Sequence, residues 1–111
     1  MEGQQRNPER PADAAQGQVN IVVTQRIHPG KEAEYETLLR EMEAATVAND
    51  KGCPRYEWYR SETPQTYILL ERWTDRAAVQ AHLSAPHMIA IRERIQPLVP
   101  ERFGAVRLAK L

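Results

Sequence analysis

TYILLERWTDRAAVQAHLSAPHM, running from Thr66 to Met88, is the stretch that decides the fold. Its first part, TYILLERW, is rich in aromatic and aliphatic residues suited to a pleated, half-buried surface and reads as a β-strand. Side chains alternate along a strand. Tyr67, Leu69, Glu71 and Trp73 therefore share one face, and Ile68, Leu70 and Arg72 the other. Thr74 or Asp75 can cap a helix over about Arg76 to Leu83. Ser84-Ala85-Pro86 breaks that helix and opens another, with Ser84 as the candidate cap and proline tolerated in the first turn. The second segment, HMIAIRERIQ, ends near Pro97. A strand thus feeds through a short connection into a helix broken in two, and that helix must fold back over the sheet.

Upstream, CPRYEWYRS reads as another strand carrying Tyr56, Trp58 and Tyr59, with Pro54 at its start because proline cannot donate to a ladder. The turn Glu62-Thr63-Pro64-Gln65 joins the two strands as a hairpin. Before it, VNIVVTQRIH is β-branched and stops at Pro29-Gly30. KEAEYETLLREMEAATVAND places Tyr35, Leu38, Leu39, Met42, Ala45 and Thr46 at helical spacing, with Glu36 and Arg40 as an i,i+4 pair. Asn49, Asp50 and Gly52 supply its stop signal. Downstream, Phe103 to Leu108 alternates loosely as a fourth strand. The order is β-α-β-β-α-β, the ferredoxin-like α+β pattern. Both helices of that topology cover one sheet face, and both strand parities carry apolar residues. A homodimer joined sheet to sheet is the expected solution.

The domain is expected over residues 19–111. Residues 1–18, MEGQQRNPERPADAAQGQ, have little to bury and read as a mobile, disordered extension. Lys plus Arg number 15 and Asp plus Glu number 15, so zero net charge gives no general attraction to nucleic acid or to an anionic membrane. No apolar run approaches the roughly 20 residues that cross a bilayer. The N-terminus lacks the apolar region of a secretory signal, and the single Cys53 cannot close an intrachain disulfide. A cytoplasmic location is the default expectation.

Four residues carry candidate chemistry. Trp73 offers an indole donor and a flat stacking surface, against the alternative of plain packing. Glu71, beside Leu70 and Trp73, is costly to bury unless paired. It reads either as a pocket base with a raised pKa or as a structural ion pair with Arg26, Arg72 or Arg92. His82 and His87 can exchange a proton near neutrality, or simply pack and cap. No metal is expected, because two histidines across a helix break have no reason to converge and neither Cys nor carboxylate completes a set. Tyr56 is the second-strand aromatic best placed to reach a pocket, and Cys53 reads as a small buried hydrophobe. With no glycine-rich phosphate loop and no dinucleotide fingerprint, no cofactor is expected.

GCPRYEWY over 52–59 and YILLERWTDRAAVQAHLSAPHM over 67–88, with their Glu-x-Trp, Ala-His-Leu and Pro-His, resemble the antibiotic biosynthesis monooxygenase (ABM) domain family over about Val19 to Pro97. The branch they resemble most is the quinol-monooxygenase one. That resemblance implies a dimeric α+β barrel and, in several members, cofactor-independent oxidation of phenolic or quinol-type aromatics by dioxygen. It implies His82, Glu71 and His87 as catalytic residues, and Trp73, Tyr67, Tyr56 and Leu69 against the substrate. Leu69 stands where polyketide-oxidising members have asparagine. Val23, His82 and Arg92 stand where haem-degrading members have asparagine, tryptophan and histidine, which argues against haem degradation. Isomerisation of a small polar metabolite by the same acid–base residues is the alternative reaction, and a non-catalytic ligand-binding or stress protein the alternative class.

Overall fold

The computed structural model describes residues 17–111. The extension expected over residues 1–18 therefore lies almost wholly outside the described residues. The elements are β1 (Val19–Arg26), α1 (Glu32–Asn49), β2 (Arg55–Arg60), β3 (Thr66–Trp73), α2 (Arg76–Ser84), α3 (Pro86–Ile95), a 3-10 turn over Gln96–Leu98, and β4 (Gly104–Leu108). The strands form one antiparallel sheet in the order β2-β3-β1-β4. This is the ferredoxin-like α+β arrangement, with the two strands that lead into helices at the centre.

Strand parity sorts the side chains as the alternation requires. Val19 and Val23 of β1, Tyr56 of β2, and Tyr67, Leu69 and Trp73 of β3 are buried with Tyr35, Leu38, Leu39 and Met42 of α1 and Met88 and Ile91 of α3. The register sets Val19 against Trp73, Val23 against Leu69 and Tyr56 against Glu71. On the opposite parity Val22, Ile68 and Leu70 are only half-buried, and on β4 Val106 and Leu108 are exposed.

Two junctions between helices and sheet have clear local causes. Asp75 caps α2 by accepting the Ala78 N–H at 2.8 Å. The break before α3 falls one residue later than the expected cap at Ser84. Ser84 closes α2, and Ala85, extended at φ −66° and ψ 139°, begins α3 with Pro86 in its first turn. Proline excludes the helical region for the residue before it, so the break belongs to Ala85. At the other junction, α1 stops at Asp50, and Gly52 turns the chain into β2 with φ +73°. A Cβ on Gly52 would lie 2.5 Å from Thr74 Oγ1 and 3.0 Å from Ala78 Cβ. The Gly52 carbonyl accepts the Thr74 N–H at 2.8 Å. The end of α1 is thereby latched to the start of α2.

Candidate active site

The latch brings together residues far apart in sequence. His82, in the last turn of α2, is buried. Its ring lies 4.6 Å from that of Trp73 and 5.2 Å from that of Tyr56, and the Tyr56 and Trp73 rings are 6.2 Å apart, edge to face. His82 Nδ1 is 2.5 Å from Asp50 Oδ2, and His87 Nε2 is 3.1 Å from the same oxygen. An ionised carboxylate only accepts hydrogen bonds, so both ring nitrogens donate to it. With its proton on Nδ1, neutral His82 keeps a lone pair on Nε2. Burial lowers the His82 pKa, while the hydrogen bond it donates to Asp50 and the Asp50 charge push the other way; the net direction is down. Asp50 fixes the tautomer and ring plane of His82 as an orienting carboxylate does in a general-base pair.

Glu71 completes the cluster from β3. The Trp73 indole Nε1–H donates to its Oε1 at 2.8 Å. Burial raises the Glu71 pKa and the indole hydrogen bond opposes it. The arginines considered as its ion partners are engaged elsewhere: Arg26 with Glu101 at 2.6 Å, Arg72 Nε with Asn20 Oδ1 at 2.8 Å, and Arg92 with the Leu83 carbonyl at 2.8 Å. Glu71 also lines a groove of about 360 Å³ with Ile21, Leu70, Arg72, Arg55 and Leu108. That groove opens mainly on the other sheet face, and neither His82 nor Trp73, 3% and 0% exposed, lines it. The Tyr56 hydroxyl donates to Met42 Sδ at 3.0 Å, and burial pushes its pKa up. Cys53 is half-buried, its Sγ donating to the Arg55 carbonyl, and burial raises its thiol to about 11, which disfavours a reactive thiolate.

Of the residues singled out from sequence, the fold brings Glu71, Trp73, His82, His87 and Tyr56 together. It does not bring Tyr67 or Leu69. They share the face of Trp73, but at about 3.3 Å per residue Tyr67 lies roughly 20 Å along the strand. There its hydroxyl donates to Glu36 at 2.7 Å and its ring packs on Tyr35. Leu69 is an ordinary core residue, 3% exposed. Asp50 was missed because it reads as a helix stop. A signal was present: an acidic residue at a helix C-terminus opposes the helix dipole, and α1 has no basic residue in its last turn. The two premises against a metal set also fail, since the histidines do converge and Asp50 supplies a carboxylate.

The structure is thus a small α+β protein with a ferredoxin-like sheet and a His–Asp–His cluster where the end of α1 meets α2 and α3. The profile of the family described as antibiotic biosynthesis monooxygenase matches residues 19–94, and the chain belongs to that family. "Putative monooxygenase Rv0793" of Mycobacterium tuberculosis is 30% identical over 93 residues, covering 82% of this chain and 91% of that protein. "Probable quinol monooxygenase YgiN" of Escherichia coli is 25% identical over 88 residues, covering 70% and 85%. A solved Caulobacter crescentus structure given the same family name superposes with a TM-score of 0.81 at 27% identity, covering 86% of this chain and 92% of that one. Among the described residues no helix is long and apolar enough to cross a membrane.

Proposed function

We propose that the protein is a cofactor-independent monooxygenase that oxidises a small phenolic or quinol-type aromatic with dioxygen, and that it works as a homodimer joined through the open sheet face. The observation that carries the reading is the 2.5 Å contact between His82 Nδ1 and Asp50 Oδ2, which leaves Nε2 as the acceptor on a ring set against Trp73 and Tyr56. His82 Nε2 takes the phenolic proton. The phenolate passes one electron to dioxygen, and superoxide and the aryloxyl radical recombine to form a carbon–oxygen bond. His82 returns its proton to the peroxide. Cleavage of the O–O bond with loss of the hydrogen on the same carbon gives a quinone carbonyl and one water. The aromatic supplies all the electrons, so no external reductant enters. The side chains that cover His82 and Trp73, 3% and 0% exposed, move aside to admit the substrate, on whose ring Trp73 then stacks. Glu71, held by the Trp73 indole, sets its carboxyl group against the second substrate oxygen, and burial raises its pKa. Exclusion of water strengthens each of these contacts.

The test is an oxygen electrode and a panel of hydroquinones and naphthols. Consumption above the autoxidation rate, lowered roughly 100-fold in His82→Ala as for loss of a general base, supports the reading. Binding of the same compounds without oxygen uptake assigns the protein to the non-catalytic class instead.

A further inference from the structure

The side chains of Asp50, His82 and His87 offer one carboxylate oxygen and two imidazole nitrogens, all within 4.8 Å of one another. We propose that these three groups form a binding site for a first-row divalent transition ion of the zinc or cobalt type, and that the ion and the proposed general base are mutually exclusive.

Ligand chemistry sets the class of ion. Two imidazoles and a carboxylate suit zinc, cobalt, nickel or copper rather than magnesium or calcium, which prefer all-oxygen sites. Metal–nitrogen and metal–oxygen bonds of about 2.0–2.2 Å hold neighbouring donors roughly 3.0–3.5 Å apart. Asp50 Oδ2 stands 2.5 Å from one donor and 3.1 Å from the other, so a shift of about an ångström in side-chain position opens the set around an ion. The half-exposed edge that can make this adjustment is His87, 21% exposed at the start of α3, whereas His82 is 3% exposed and held by the rings beneath it. Three protein ligands leave further coordination positions for water. The Asp50 carboxylate supplies negative charge toward a dication, and it acts electrostatically on both Tyr56 and Cys53 nearby.

The exclusivity follows from imidazole chemistry. Without an ion, Nδ1 of His82 carries the proton given to Asp50, and Nε2 carries the lone pair. An ion bound at Nδ1 needs the lone pair there, which moves the ring proton to Nε2. The nitrogen turned away from Asp50 then donates instead of accepting, and it cannot take a phenolic proton. Metal loading is therefore an off-switch for the proposed chemistry, while the binding itself does not depend on that chemistry.

Full-length protein stripped with a chelator and titrated with cobalt(II) provides the test. The expected result is a visible d–d band saturating at one ion per chain and reversed by chelator. The band should persist in His28→Ala, an exposed histidine outside the cluster. It should weaken in Asp50→Asn and in His87→Ala by more than the roughly 10–100-fold that loss of an outer-shell partner costs. Should those variants fold poorly, a zinc titration of the unmodified protein followed by NMR of the histidine ring protons replaces them: two of the three rings should shift together. The absence of any band, or a band that survives in both cluster variants, or a zinc titration that moves His28 alone, overturns the site. Oxygen uptake is not among these readouts, so a protein without monooxygenase activity still returns a clear result here.

Discussion

Replacing Asp50 by asparagine keeps the shape of the side chain and removes its charge. In the native cluster one oxygen accepts from His82 at 2.5 Å and from His87 at 3.1 Å, with His82 fully buried. Hydrogen bonds to a charged group contribute about 1.5–3 kcal/mol each, and neutral ones about 1 kcal/mol. Asparagine can retain one neutral acceptor contact, and its amide then faces the other ring, so the expected loss is about 2–3 kcal/mol. For a domain of this size that lowers the melting temperature by roughly 10–20 °C. Activity should fall at least about 100-fold, because the amide can donate to Nδ1 and select the wrong tautomer. The pH profile carries the specific signature. Asp50 raises the His82 pKa against burial, which lowers it. Without the carboxylate the pKa drops further, so the acid limb of kcat/KM should move to lower pH while its plateau falls. Stopped oxygen-uptake assays on chelator-treated protein, with calorimetry alongside, give both numbers. Turnover within about twofold of the native protein, with the acid limb unmoved, would refute the orienting role of Asp50.

Glu71→Gln should raise the melting temperature at pH 7 to 8 and lose that advantage toward pH 4. The folded-state pKa of Glu71 lies above its ordinary 4.5, so its stabilising contribution is complete below that pH and is lost as pH rises through the folded value, while glutamine still accepts from the Trp73 indole. The native protein should also lose stability as pH falls below 6.5, because the unfolded chain then binds a proton that buried His82 resists; a titration of melting temperature from pH 8 to 5 reads this, and a flat profile contradicts it. Gly52→Ala should cost about 2–4 kcal/mol, from a left-handed backbone and a Cβ driven into Thr74, measured by denaturant unfolding. Light scattering at micromolar concentration should return twice the 12.7 kDa chain mass, whereas a monomer would leave the apolar residues of the open face without a role.

Much of this molecule was legible before its structure. The period-two pattern of TYILLERW put Glu71 and Trp73 on one face, and Thr74-Asp75 marked the start of the next helix, where the structure selects Asp75 as the cap. The order of elements gave the sheet. What local pattern could not supply was position along a face. Tyr67 and Trp73 share a parity, and alternation alone cannot show that one ends at Glu36 and the other at His82. Nor could it supply Asp50, which lies 32 residues from His82 and meets it across the fold, beside the junction where the Gly52 carbonyl accepts the Thr74 N–H. A helix stop and an orienting carboxylate look alike in sequence. They differ in whether something across the fold repairs an anion placed at the wrong end of a helix dipole.

Turnover under isotopically heavy dioxygen, comparing the native protein with His82→Ala on the best substrate from the hydroquinone panel, tests the proposed chemistry most directly. Mass spectrometry should find one heavy oxygen atom in each product molecule and the other in water, with the labelled product formed roughly 100-fold more slowly by the variant. Oxygen consumed with no label in the organic product, or labelling at the same rate in His82→Ala, would contradict it.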